Sequence, residues 1–244
     1  MRRRLLVTYV AFVHAILLLV VVKPDLVARF ENRLGFRSET AQPEITDHFR
    51  RMMRYHERID GSVPDGAVVF IGDSHTQGLC ADAVIMPSVN YGIGSDTTVG
   101  VLSRLPKYCC LKRASAVVLA IGINDMKWRD NAAILANYKN ILQALPSECP
   151  IVVSALFPVD ATALKDPRFS NTRVREFNQA LDGLCGTDWR CVFVDVSSKL
   201  ADEGGSLSKG LQDGDGVHLS NDGYQLWIEA LRDALSQARK KPAK

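Results

Sequence analysis

Four short segments of this 244-residue chain hold residue types that could move an acyl group. Gly72-Asp73-Ser74 follows the apolar run 67–71, and Asn90 opens "NYGIGSDTT". Gly122 opens "GIND", and Asp215 opens "DGVH", which closes on His218. A serine hydroxyl is a weak nucleophile until a neighbouring base takes its proton. The base is most often a histidine, oriented by an acid. Glycine-rich and asparagine-bearing turns supply the N–H donors that meet the negative oxygen formed on attack.

These segments matter only if the fold gathers them. Short Val- and Ile-rich runs at 68–71, 88–91, 116–121, 151–156 and 191–194 are mostly continuously apolar, as expected of strands covered on both faces. Helical stripes lie between and after them. One is Ile134, Leu135, Tyr138, Ile141, Leu142 and Leu145; another is Val174, Phe177, Leu181 and Leu184. A last helix starts from Ser220 as N-cap and turns Leu226, Trp227, Ala230, Leu231 and Leu235 inward. Strands alternating with helices predict an α/β fold, a parallel sheet of about five strands with right-handed crossovers. Ligands of such sheets bind beyond the carboxyl ends of the strands. All four polar segments follow strands, so all four fall on that edge. Before the sheet, Ile45, Phe49, Met52, His56 and Ile59 recur at helical spacing, with Arg50, Arg51, Arg54 and Arg58 between them. This predicts a helix that simply docks its apolar stripe on the domain; the alternative reading is a basic face that touches anionic lipid.

Taken singly, each segment has an ordinary explanation. Gly-Asp-Ser is common in turns, Asp73 and Asp125 could cap helices, and an aspartate three residues before a histidine is frequent. Together, in this order and each at a strand end, the blocks resemble those of the SGNH or GDSL hydrolases. "GDS" carries Ser74, the Asn-x-Gly segment carries Asn90 and Gly92, "GIND" carries Asn124, and "DGVH" carries Asp215 and His218. "NYGIGSDTT" is most similar to the branch that includes platelet-activating-factor acetylhydrolase subunits. The resemblance implies a flavodoxin-like three-layer α/β/α sandwich and ester hydrolysis without a cofactor or metal. Ser74 is then the nucleophile, His218 the base and Asp215 its orienting acid. The oxyanion hole is the Ser74 and Ser95 backbone N–H groups with the Asn124 side chain. Ser95 departs from the pattern, because the family usually has glycine before this aspartate; its N–H survives, without glycine's conformational freedom. Asp213 is a second acid whose spacing to His218 does not match, and His75 should point away from the Ser74 hydroxyl.

Composition narrows the rest. Net charge is +3, which does not suggest a nucleic-acid partner. There are no repeats, and no CxxC or HExxH suggests a metal site. Three arginines precede an uncharged apolar run from 5 to 22, long for a signal peptide and just enough for a bilayer. The expected organisation is a signal anchor or transmembrane helix at 1–22, a linker at 23–44, a hydrolase domain at 45–240 and a basic tail at 241–244. Six cysteines include "CGTDWRC", where Cys185 and Cys191 could close a short disulfide loop or be small buried hydrophobes. The expected protein is a membrane-anchored extracytoplasmic esterase, periplasmic in a Gram-negative cell. Its substrate would be a small-molecule, lipid or glycan ester. The alternatives are an O-acyltransferase or O-acetyl esterase on envelope glycans and a non-catalytic glycan- or lipid-binding module. Specificity is expected from the segments 157–171 and 204–214.

Overall fold

A computed structural model describes residues 44–240. The expected anchor at 1–22, nearly all of the linker and the tail lie outside the described residues. Among the described residues no helix is long and apolar enough to cross a membrane.

Five strands form one parallel sheet: β1 (Val68–Gly72), β2 (Ser88–Gly92), β3 (Ala116–Ala120), β4 (Ile151–Ser154) and β5 (Cys191–Val194). The order is β2-β1-β3-β4-β5, the flavodoxin-like order, whose direction reverses between β1 and β3. β1, β3 and β4 are buried along their whole length, which is why they carry no polar alternation. Their residues alternate between two apolar clusters. Val69 and Ile71 face one, with Val101, Ile134, Tyr138, Phe177 and Leu181. Val68 and Phe70 face the other, with Trp227, Ile228, Leu231 and Leu235.

Helices supply the two outer layers. On the first face lie α1 (Asp47–Asp60), α4 (Thr98–Arg104), α5 (Asn131–Ala144) and α7 (Asn171–Gly186). The second face is covered by α9 (Asn221–Ala238) and the short α3 (Ala81–Val84). Between these come α2 (Ser74–Gly78), α6 (Ala161–Leu164) and α8 (Ser197–Leu200). α9 is capped by Ser220, whose hydroxyl accepts from the Gly223 amide. Among the described residues both clusters lie in the compact unit Glu44–Lys244, where helices cover the two faces of the sheet.

The expected stripe of α1 is shifted. The buried residues are Phe49, Met53, His56 and Asp60, whereas Ile59 is 46% exposed. A carboxylate can hold the fourth position because Asp60 accepts from the Tyr91 hydroxyl at 2.8 Å and the Cys109 amide at 2.7 Å. His56 is neutral there, its pKa lowered to about 4 by burial and by nearby Arg104. Cys185 and Cys191 are joined across "CGTDWRC" in a disulfide.

Candidate active site

The Ser74 turn is built by close backbone approach. β1 ends at Gly72, Asp73 is the N-cap of α2, and Ser74 is the first residue of that helix. A Cβ on Gly72 would sit 2.1 Å from the Ala120 carbonyl oxygen, and one on Gly92 would sit 2.1 Å from the Gln77 nitrogen. Only glycine at these two places lets α2 press against the strand ends. Asn90 holds the far end of α2, donating to the Thr76 and Leu79 carbonyls at 2.6 and 2.9 Å. Ser74 is left half-buried at the sheet edge.

His218 arrives from a loop 144 residues later. Its Nε2 is 2.8 Å from Ser74 Oγ, and its Nδ1 is 2.5 Å from Asp215 Oδ2. Asp215 Oδ1 accepts from the Val217 and His218 amides at 2.8 and 2.9 Å. Burial alone would raise the Asp215 carboxyl, but these amides and the imidazole outweigh it and hold it down at about 2. Asp213 does not reach the ring; it accepts from the Asp215 amide at 3.3 Å. Asp213, Asp215 and His218 offer three ligand atoms within 4.8 Å of one another, yet acyl transfer through a serine and a histidine needs no metal. The sequence-expected Ser74, Asp215 and His218 are thus together.

The loop bearing His218 is held from three sides. The Asp160 amide donates to the Gly216 carbonyl, and the Gly216 amide donates to Gln212 Oε1, each at 2.8 Å. The third contact is His75. It points away from the Ser74 hydroxyl, as expected, but it is not a bystander. Its Nε2 lies 2.9 Å from the Val217 carbonyl, its Nδ1 3.4 Å from Asp73 Oδ1, and its ring 5.5 Å from that of His218. Phe157 meets it edge-on at 5.0 Å. Burial alone would lower its pKa; the Asp73 carboxylate and the Val217 carbonyl outweigh this and raise it. His75 therefore pins the turn before His218 to the turn that carries Ser74.

Ser95 and Asn124 sit on neighbouring turns. Ser95 has φ 64°, the left-handed region that a glycine would occupy without strain. Its side chain is exposed. The next residue, Asp96, is buried and accepts from Arg104 Nε at 2.9 Å. Arg104, fully buried, also donates to the Tyr91 carbonyl, the Tyr108 hydroxyl and the Gly72 carbonyl at 2.7, 2.9 and 3.0 Å. One guanidinium thus ties the Ser74 turn to the Ser95 turn. Asn124 Nδ2 donates to the Asp96 carbonyl at 3.1 Å, which fixes the amide and leaves its second N–H free for an oxyanion. Asp125 is buried beneath it and accepts from the Thr98 amide at 2.9 Å, the Thr98 hydroxyl at 2.5 Å and Arg129 at 2.5 Å. Arg129 and the Thr97 hydroxyl both reach Glu44, each at 2.5 Å. Sequence reasoning missed Arg104, Asp125, Arg129 and Glu44 as parts of this scaffold. The available signal was Arg104 itself, a charge within the otherwise uncharged helix "TVGVLSR".

Known proteins share this fold. A sequence profile of the GDSL-like lipase/acylhydrolase family matches residues 70–226. No curated protein matches the chain. A Streptococcus pneumoniae structure named for platelet activating factor is similar over 87% of this chain and 99% of its own, at 25% identity and TM-score 0.72. The catalytic domain of the Streptococcus pneumoniae peptidoglycan O-acetyltransferase A shares the fold at 18% identity, TM-score 0.58, with 74% of this chain and 98% of that one covered. So does a Geobacillus acetyl-xylooligosaccharide esterase, at 18% identity and TM-score 0.57, covering 70% and 94%. With most of the sheet, its crossovers and all four polar blocks inside the matched span, this chain belongs to the GDSL-like lipase/acylhydrolase family and is a hydrolase acting on ester bonds.

Proposed function

We propose that the protein is a serine esterase that removes short acyl groups, held outside the cytoplasm by its N-terminal apolar segment. The observation that carries the mechanism is the relay from Ser74 through His218 to Asp215, at 2.8 and 2.5 Å. His218 Nε2 takes the hydroxyl proton as Ser74 Oγ attacks the ester carbonyl. Asp215, ionised, accepts from Nδ1–H and stabilises the imidazolium that forms. The tetrahedral oxyanion is met by the Ser74 and Ser95 backbone N–H groups and by the Asn124 amide. His218 then gives its proton to the leaving alcohol, and the acyl group stays on Ser74. Water attacks this acyl-enzyme with His218 again as base, releasing the acid and restoring Ser74.

The two acetyl-acting neighbours, one on peptidoglycan and one on xylooligosaccharide by name, support a short acyl group on a carbohydrate alcohol. If a sugar hydroxyl replaces water in the second step, the same site is an O-acyltransferase. Support for the location comes from the apolar run at 5–22 and from the Cys185–Cys191 disulfide, since such bonds persist outside the cytosol. Hydrolysis of aryl esters of increasing acyl length, in wild type and Ser74→Ala, tests the chemistry; activity rising with chain length contradicts the short-acyl reading. An export-dependent reporter fused after Lys244 tests the location, and activity of a cytosolic reporter there contradicts it.

A further inference from the structure

Once α1 docks Phe49, Met53 and His56 on the core, its opposite face is left in solvent. Arg51, Arg54 and Arg58 are all exposed and lie within two turns of one another at i, i+3 and i+7. Two large apolar side chains lie beside them, Tyr55 at 52% exposure and Ile59 at 46%. The Arg58 guanidinium rests 4.7 Å above the Tyr55 ring. The carboxylates nearby are already matched: Asp47 by Arg50 at 2.8 Å and Glu57 by Lys107 at 3.4 Å. Among the described residues Arg51, Arg54 and Arg58 have no carboxylate partner within 4.0 Å. Unmatched arginines interleaved with an aromatic and an aliphatic side chain suit the boundary between anionic headgroups and acyl chains.

The chain's path supplies a second argument. α1 begins three residues after Glu44, where the compact unit starts. The apolar run ends at Val22, leaving 23–43 between the two. Even fully extended, these residues reach about 70 Å. α1 is thus the helix of the unit nearest in sequence to that run.

We propose that the Arg51, Arg54, Tyr55, Arg58 and Ile59 face of α1 rests on an anionic phospholipid surface. A bilayer with a negative surface potential attracts juxtamembrane arginines, and Tyr55 and Ile59 would seat at the headgroup level. The proposal goes beyond the esterase reading. It shares with that reading only the membrane as the source of lipid, and its test uses no anchor and no ester.

The test is co-sedimentation of a fragment starting at Glu44 with vesicles of phosphatidylcholine alone or with added phosphatidylglycerol. Cooperative thermal melts verify folding of each variant. The expected result is sedimentation with the phosphatidylglycerol vesicles only, released by high salt. Arg51→Gln, Arg54→Gln and Arg58→Gln combined should weaken binding at least about tenfold, as three arginines leave the surface. Tyr55→Ala with Ile59→Ala should weaken it severalfold with melts unchanged. A control replaces Lys240, Lys241 and Lys244 by Gln, and should bind as wild type. No sedimentation with anionic vesicles overturns the proposal. So does equal binding to phosphatidylcholine, binding that survives in the folded triple-arginine variant, or binding that disappears in the lysine control. Failure of the export reporter with intact vesicle binding removes the anchor and leaves the face.

Discussion

Replacing Ser95 by glycine should stabilise the protein while leaving its chemistry nearly intact. Ser95 holds φ 64° with its side chain exposed. The left-handed region costs an L-residue roughly 1–2 kcal/mol. Glycine adopts it freely but loses about 0.5–1 kcal/mol through the extra freedom of the unfolded chain. The net gain is therefore about 0–1.5 kcal/mol, and a gain near 1 kcal/mol raises the melting temperature of a domain this size by roughly 2–4 °C. The backbone N–H is kept, so kcat on an aryl acetate should change by no more than about threefold, small beside the roughly 10²–10³ expected when an oxyanion donor is removed. Ser95→Ala separates strain from hydroxyl chemistry: it keeps the left-handed cost, and both its melting temperature and its kcat should match wild type. Ser95→Pro is uninformative, because proline demands a φ near −65° and would rebuild the turn. Melts and steady-state kinetics on the glycine and alanine variants decide the matter. A glycine variant that melts lower than wild type refutes the strain argument. An alanine variant that folds but loses kcat refutes the assignment of Ser95 through its backbone.

Asn124→Ala should lower kcat about 10²–10³-fold with little change in KM, since its amide acts on the transition state; an unchanged kcat removes it from the site. Arg104→Met leaves Asp96 buried without its partner and should destabilise by about 3–5 kcal/mol, read as a lower urea midpoint. For His75, burial is outweighed by Asp73 and Val217, so its folded pKa stands above 6.5. The stability this lends is complete below pH 6.5, the unfolded value, and disappears as pH rises through the raised folded value. Wild type should accordingly lead His75→Gln most on the acid side. Urea unfolding across pH checks the sign, and a lead that grows with pH contradicts it. The other charged or titratable groups facing that imidazole are Asp215 and His218.

The parts of this site carried on short local patterns were readable from the sequence. Ser74, Asn124 and the pair Asp215 and His218 each follow a run of buried Val and Ile or end a recognisable turn, so alternating strand and helix signals suffice to bring them to one edge. Ser220 was readable as a cap because capping is a matter of adjacent residues. What escaped notice depends on long-range pairing. Arg104 meets Gly72 across 32 positions and His75 meets Val217 across 142, and no local periodicity encodes such contacts. The phase of α1 was misread because Asp60, polar in isolation, is made compatible with burial by Tyr91 and Cys109. Glu44, at the end of the expected linker, belongs to the Arg129 and Thr97 network for the same reason.

The central claim is that Ser74 is the nucleophile activated by His218. It is tested most directly by labelling the full chain with a fluorophosphonate and locating the adduct by peptide mass spectrometry. The account predicts one adduct, on Ser74, absent from Ser74→Ala and slowed by roughly 10³-fold or more in His218→Ala. An adduct on another residue, or labelling of His218→Ala at the wild-type rate, would contradict it.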